Sequence, residues 1–306
     1  MQRKTWSVAL VFIFTSLSSE RIASAGTPIC DYVTSEVKTI YFGIEVPTPD
    51  PDHPATVSLG HTDLDVPYRN CEWDVEISPE SGQLAPADAL LYGGTQARFT
   101  LASIPPGFEF IGAAPGETFW ILPQNQMAGV IFLGVSSESM TIADRGRLCE
   151  WNPGDPRGGA DVPAKWIRIE LAEVRGPEGG YFSVWQTTGP GQVVQYMSTF
   201  EEGITDVDSY HVLAGSHSHV NWGFTEPGVY EVDFHLSTYV ERIVGDVECD
   251  CVVDLLDIPA FVDALISPDA FEITYLDCNI MNADVNGDEA IDGADVQAFV
   301  DLLTFN

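Results

Sequence analysis

Basic residues are scarce in this chain. Its 306 residues carry 13 Lys and Arg against 46 Asp and Glu, a formal net charge of −33. Such a surface repels phosphate at every approach, which excludes nucleic acid as a partner. Long apolar runs are also lacking. After Trp6–Leu17, nothing nears the roughly 18 apolar residues of a membrane helix. No transmembrane span is therefore expected in the mature chain. CxxC pairs are absent, which disfavours a cysteine-based zinc site. There is no GxSxG elbow, HExxH helix or glycine-rich phosphate loop, so common hydrolase and nucleotide-binding chemistries have no foothold. Paired carboxylates for glycoside hydrolysis stay open, because the spacing that matters there is spatial.

The excess acid serves solubility in the simplest account. In the sharper one, some of the carboxylates hold cations. The N-terminus has the marks of export: Arg3 and Lys4, then the short apolar stretch, then the small residues Ala23-Ser24-Ala25. Residues 1–25 are expected to be a signal peptide cleaved near Ala25. The mature protein would then be secreted, periplasmic or at the cell surface. In such an oxidising compartment the six cysteines, Cys30, Cys71, Cys149, Cys249, Cys251 and Cys278, are disulfide candidates. Cys249 and Cys251 could each reach Cys278 across the C-terminal segment, and the pairing as a whole is open.

Between residues 26 and 244 short β-branched and aromatic runs alternate with Gly, Pro, Asn and Asp clusters, which predicts strands and turns. Trp166 to Val174 reads as a strand with Ile167, Ile169 and Leu171 on one face. Tyr181 to Gln186 reads as another. In Val229 to Ser237, Tyr230, Val232, Phe234 and Leu236 share a face opposite Glu231, Asp233 and His235. With almost no helical periodicity, the expected fold is mainly β, a β-sandwich with a barrel as the alternative. Trp73, Trp120, Trp151, Trp166, Trp185 and Trp222 are expected in its core, or less readily on a sugar-stacking face.

Three local sequences occur in order: Gly60-His61-Thr62-Asp63, then Phe119-Trp120-Ile121-Leu122-Pro123-Gln124, then His217-Ser218-His219-Val220-Asn221-Trp222-Gly223-Phe224-Thr225-Glu226-Pro227-Gly228-Val229-Tyr230. This set resembles the choice-of-anchor M family of bacterial surface-anchored proteins, over about 180 residues from Ser58 to Ser237. The resemblance implies an exported β-domain attached to the envelope through a variable C-terminal module. Related domains in some bacteria are linked with metal uptake.

The HxH pair carries chemistry independently of any family. In a strand, His217 and His219 point to one face, about 7 Å apart. With His61 or Asp63 brought in from another strand they could hold zinc or another divalent transition metal. His211 and His235 are weaker candidates. The competing account is that these histidines brace a loop by hydrogen bonds.

Residues 245–306 repeat a pattern. One unit places Asp246, Glu248, Asp250, Asp254 and Asp257 at positions 1, 3, 5, 9 and 12 of a loop; the second places Asp284, Asn286, Asp288, Asp292 and Asp295 there. That spacing wraps a hard cation in oxygens, with Val252 and Ala290 offering backbone carbonyls at position 7. Val253 and Ile291 at position 8 suit a short β-contact between paired loops. Apolar residues at helical spacing follow each loop, predicting two amphipathic helices. The arrangement resembles a type I dockerin, which implies two bound Ca²⁺ ions. Position 6 is Cys251 or Glu289 rather than glycine, so both loops must turn sharply without it. Dockerin recognition commonly uses polar residues at positions 10 and 11; here they are Leu255-Leu256 and Gly293-Ala294. An envelope protein or a cohesin-like partner is the implied binding mate, or the unit packs on its own β-domain. In so small a module, metals or disulfides usually supplement the core.

The expectation is therefore an exported, non-catalytic surface protein with a calcium-binding C-terminal module. The alternatives are an extracytoplasmic transition-metal-binding protein, and a dockerin-bearing enzyme acting on polysaccharide.

Overall fold

Period-two alternation is cleanest at Gly228–Val240, where every second residue from Tyr230 to Val240 is buried. That strand pairs antiparallel with Tyr32–Ile44 over their full length, from Tyr32↔Val240 to Ile44↔Gly228. The computed structural model describes residues 30, 32–189, 191–200, 202–275 and 278–305. The expected signal peptide lies outside the described residues.

In chain order the strands begin with β1 (Tyr32–Ile44), β2 (Ala55–Val57), β3 (His61–Asp65), β4 (Tyr68–Arg69) and β5 (Glu72–Trp73). Then come β6 (Glu76–Pro79), β7 (Ala89–Gly93), β8 (Arg98–Thr100), β9 (Thr118–Leu122) and β10 (Phe132–Ser136). A short helix α1 (Ile142–Arg147) leads to β11 (Trp166–Arg175), β12 (Phe182–Gly189) and β13 (Gln192–Ser198). The body closes with β14 (Ser209–Leu213), β15 (His217–His219), β16 (Asn221–Phe224) and β17 (Gly228–Val240).

A six-stranded sheet has the order β14-β11-β17-β1-β7-β2, and a five-stranded sheet β13-β12-β16-β9-β8. Their inner faces meet through aromatic rings. Phe42 of β1 lies 5.6 Å from Trp222 and 5.2 Å from Phe224, and Phe234 of β17 lies 6.2 Å from Trp222, between ring centroids. Full burial of each such side chain contributes about 1.5–3 kcal/mol, so these rings dominate the core. The fold is mainly β, in several sheets, consistent with a sandwich. Trp73, Trp120, Trp166, Trp185 and Trp222 are all buried, which places them in the core rather than on a sugar-binding face.

A third sheet, β15-β10-β3-β6, bears the histidines and Asp63 singled out as metal-ligand candidates. One of its faces joins the core through Leu64, Leu133 and Val135. The other carries His61, Asp63, His217 and His219.

The C-terminal segment forms α2 (Asp257–Ile266), α3 (Pro268–Thr274) and α4 (Asp295–Phe305) around a small core of its own. Phe261 of α2 stacks on Phe299 of α4 at 3.9 Å, so the two expected amphipathic helices meet face to face. Among the described residues no β-bridge joins Val253 to Ile291. The expected loop-to-loop β-contact does not form.

All six cysteines are bridged, as Cys30–Cys149, Cys71–Cys251 and Cys249–Cys278. Cys251 therefore does not reach for Cys278. Its partner sits in the turn between β4 and β5, where Asn70 and Cys71 both have positive φ, and the bridge ties the C-terminal unit to the β-body. Three disulfides suit an extracytoplasmic location. No helix among the described residues is long and apolar enough to cross a membrane.

Candidate metal centre

The outer face of the third sheet is built by register. β3 runs parallel to β10, which sets Phe132 beside His61, Gly134 beside Asp63 and Ser136 beside Asp65. β15 runs antiparallel on the other side of β10, which sets Gly134 beside His219 and Ser136 beside His217. Side chains directly across a pleated sheet share a face. Two rows result, Asp63–Gly134–His219 and Asp65–Ser136–His217. Residues more than 150 positions apart in sequence thus converge on one spot.

His61, His217 and His219 each bring one nitrogen into a cluster in which all three ligand atoms lie within 4.8 Å of one another. His61 Nε2 and His219 Nε2 are 3.1 Å apart. Asp63 Oδ1 lies 3.8 Å from His61 Nε2 and has no hydrogen-bond partner although it is buried. Gly134 makes the room. A Cβ there would run into Asp63 Oδ1 and come within 3.0 Å of His219 Cε1. Phe132 stacks flat on the His219 ring at 3.6 Å and holds its plane.

Electrostatics prepare the imidazoles unequally. Burial, reinforced by the neighbouring His61, pushes His219 down to about 4, so at neutral pH it is uncharged and has a lone pair to offer. His217 Nδ1 faces Glu138 Oε1 at 3.0 Å, and that hydrogen bond raises its pKa. A ring nitrogen anchored on a carboxylate leaves the other free to point at a cation, the usual support of a metal-bound histidine. Burial raises Asp63 as well, against the opposing pull of His61 and His217. Three imidazoles and a carboxylate are a donor set for zinc or a similar divalent ion. The orphaned Asp63 oxygen and the glycine-made cradle both fit such an ion.

The structure thus brings together all four residues proposed from sequence. His211 and His235 lie elsewhere, beside Asp155 and Glu170 respectively. Sequence reasoning missed Gly134, Glu138 and Phe132. No local motif marks them, since each acts through its cross-strand neighbours.

The two C-terminal loops share one hydrogen-bond pattern. Asp257 accepts from the backbone N–H groups of Val247, Glu248 and Asp254. Asp295 accepts from Val285, Asn286 and Asp292, the equivalent positions. Asp246 accepts from Asp250 and Cys251, and Asp284 from Gly287, Asp288 and Glu289. Cys251 and Glu289 take φ values of 71° and 69°, so both non-glycine residues do adopt the sharp turn at position 6. Asp246, Asp257, Asp284 and Asp295 are almost wholly buried. Burial, with Asp257 close by, pushes Asp246 up to about 6.

Compared with protein families, with curated proteins and with solved structures, the chain finds no match.

Proposed function

We propose that this is an exported protein that binds a divalent transition metal, zinc being the natural choice, through His61, Asp63, His217 and His219. The convergence of three imidazole nitrogens, with the buried, unpartnered Asp63 oxygen 3.8 Å from one of them, carries this reading. Four protein donors would fill a tetrahedral site without an open position, which favours binding over catalysis. The choice-of-anchor M resemblance supports an envelope location and a link to metal handling.

The C-terminal unit serves attachment in this reading. Its loops bind two calcium ions in the dockerin-like manner, each supported by the shared hydrogen-bond lattice. Leu255, Leu256, Ile258, Val262 and Ile266 are all exposed and form an apolar strip along loop and helix. That strip favours an apolar docking face for an envelope or cohesin-like partner.

Elemental analysis after dialysis against zinc, with calcium in excess, tests the metal centre. The wild-type chain should retain one zinc, and the H217A/H219A variant none. Equal zinc in both would defeat the assignment. A further variant, G134V, should lose zinc while keeping all four ligands, because the added side chain fills the cradle.

A further inference from the structure

We infer that a second, hard cation such as calcium binds beside the histidine cluster, in a pocket lined by Asp63, Asp65, Ser78, Ser136, Glu138 and Ser139. This pocket of about 340 Å³ opens next to the histidines on the same sheet face, and no lysine, arginine or histidine lines it. Asp65 decides the matter. It is 3% exposed, and its Oδ1 has no hydrogen-bond partner. The hydroxyl of Ser78 is likewise buried and unpartnered. Buried polar atoms are paired in the great majority of cases, and an isolated buried carboxylate is costly. Here one oxygen of Asp65 and the Ser78 hydroxyl remain without partners around a single pocket, with Asp63 and Glu138 alongside. The Ser139 and Ser136 hydroxyls beside the Asp65 carboxylate offset part of the burial that raises its pKa.

The donors are all oxygen. Such a set suits a hard ion that takes six to eight oxygens, some from water, and does not select a thiophilic or imidazole-seeking metal. The histidine cluster next to it is rich in nitrogen. Asp63 belongs to both, since it lines the pocket and sits 3.8 Å from His61 Nε2. Asp65, Ser78 and Ser139 lie outside the histidine cluster, so this site does not depend on zinc binding there. It is equally separate from the C-terminal loops.

The test is a calcium count by equilibrium dialysis on the full chain, with zinc measured on the same samples. Wild type should bind three calcium ions. A D246N/D284N variant, with both C-terminal loops disabled, should keep one, and adding D65N should remove it. In chelator, D65N should be at least as stable as wild type, because the desolvation of a buried charge has gone. Calcium should raise the melting temperature of D246N/D284N but not of D246N/D284N/D65N. Ser139→Ala supplies a gentler variant, expected to weaken the third calcium without loss of fold. A D246N/D284N chain that binds no calcium would overturn the proposal, as would a third calcium indifferent to both D65N and S139A. The H217A/H219A variant separates the two readings: it should lose zinc and retain the third calcium. If wild type instead held a single calcium that D65N removes, the loop assignment would fail and this site would stand.

Discussion

The two C-terminal loops reach the same backbone course by different means. Residues 246–257 and 284–295 present matching carboxylates to matching backbone N–H groups. Both turn through positive φ at positions 4 and 6. In the second loop those residues are Gly287 and Glu289; in the first they are Cys249 and Cys251. A side chain in that region of backbone space costs on the order of 1–2 kcal/mol, whereas glycine enters it freely. The first loop thus carries two strained residues where the second carries one. It alone has covalent support, from Cys249–Cys278 and Cys71–Cys251. Local strain and a tether offset one another, and a loop of poorer sequence is held in the better one's shape.

The largest expected effect comes from removing the carboxylate at position 12. Asp257→Ala or Asp295→Ala strands three backbone N–H groups, each losing a charge-assisted bond worth about 1.5–3 kcal/mol. A total loss of about 4 kcal/mol or more is expected for either loop's native geometry, with loss of that loop's calcium. The consequences should then diverge. Asp295→Ala should melt α4, seen as a clear fall in ellipticity at the helix band. Asp257→Ala should spare much of α2, because disulfides hold the preceding loop at two points. Equal helix loss in the two variants would break the comparison.

Cutting the longer tether sharpens it. The Cys71–Cys251 bridge spans 180 residues of sequence, and removal of such a bridge costs about 2–5 kcal/mol. Arg242 Nη1 adds a polar tie between body and unit, donating to the Met281 carbonyl at 3.2 Å. In a C71S/C251S chain, titration calorimetry should show loop 1 about tenfold weaker for calcium, a change of about 1.4 kcal/mol. Loop 2 should be unchanged. A parallel weakening of both loops would mean that the tether acts on the unit as a whole.

Legibility in the sequence follows the range over which each feature is encoded. The faces of β17 could be read because alternation is local: Tyr230, Val232, Phe234 and Leu236 are buried as the pattern requires. The loop carboxylates were equally visible, since their spacing is the feature. His61, Asp63, His217 and His219 were nameable as candidates, yet only the register around β10 unites them. Gly134 and Glu138 carried no signal, because a glycine in a strand or an acid after one has many uses. Asp65 was hidden for another reason: its significance lies in one buried oxygen without a partner, which only the folded surroundings define. The partner of Cys251 also escaped the sequence, because the small module offered Cys278 nearby while the turn at Cys71 comes close only in three dimensions. The β-contact expected between Val253 and Ile291 shows the converse, a local pattern that the fold does not follow.

The smallest effect lies in the untethered loop. Glu289 holds a φ of 69°, and its side chain is exposed. Glu289→Gly removes the steric cost of that conformation but adds backbone freedom to the unfolded chain, which costs about 0.5–1 kcal/mol. The net gain should be about 0.5–1 kcal/mol, given a relief of about 1–2 kcal/mol. Because the bound loop needs this turn, most of the gain should appear as calcium affinity, raised about two- to fivefold at loop 2. Loop 1 should not respond, since its position 6 is a bridged cysteine. Calorimetric titration of the variant against wild type measures both sites in one experiment. A fall in loop 2 affinity would show that the Glu289 charge contributes more to holding calcium than its backbone costs. Loop 2 would then be supported by electrostatics where loop 1 is supported by covalent bonds.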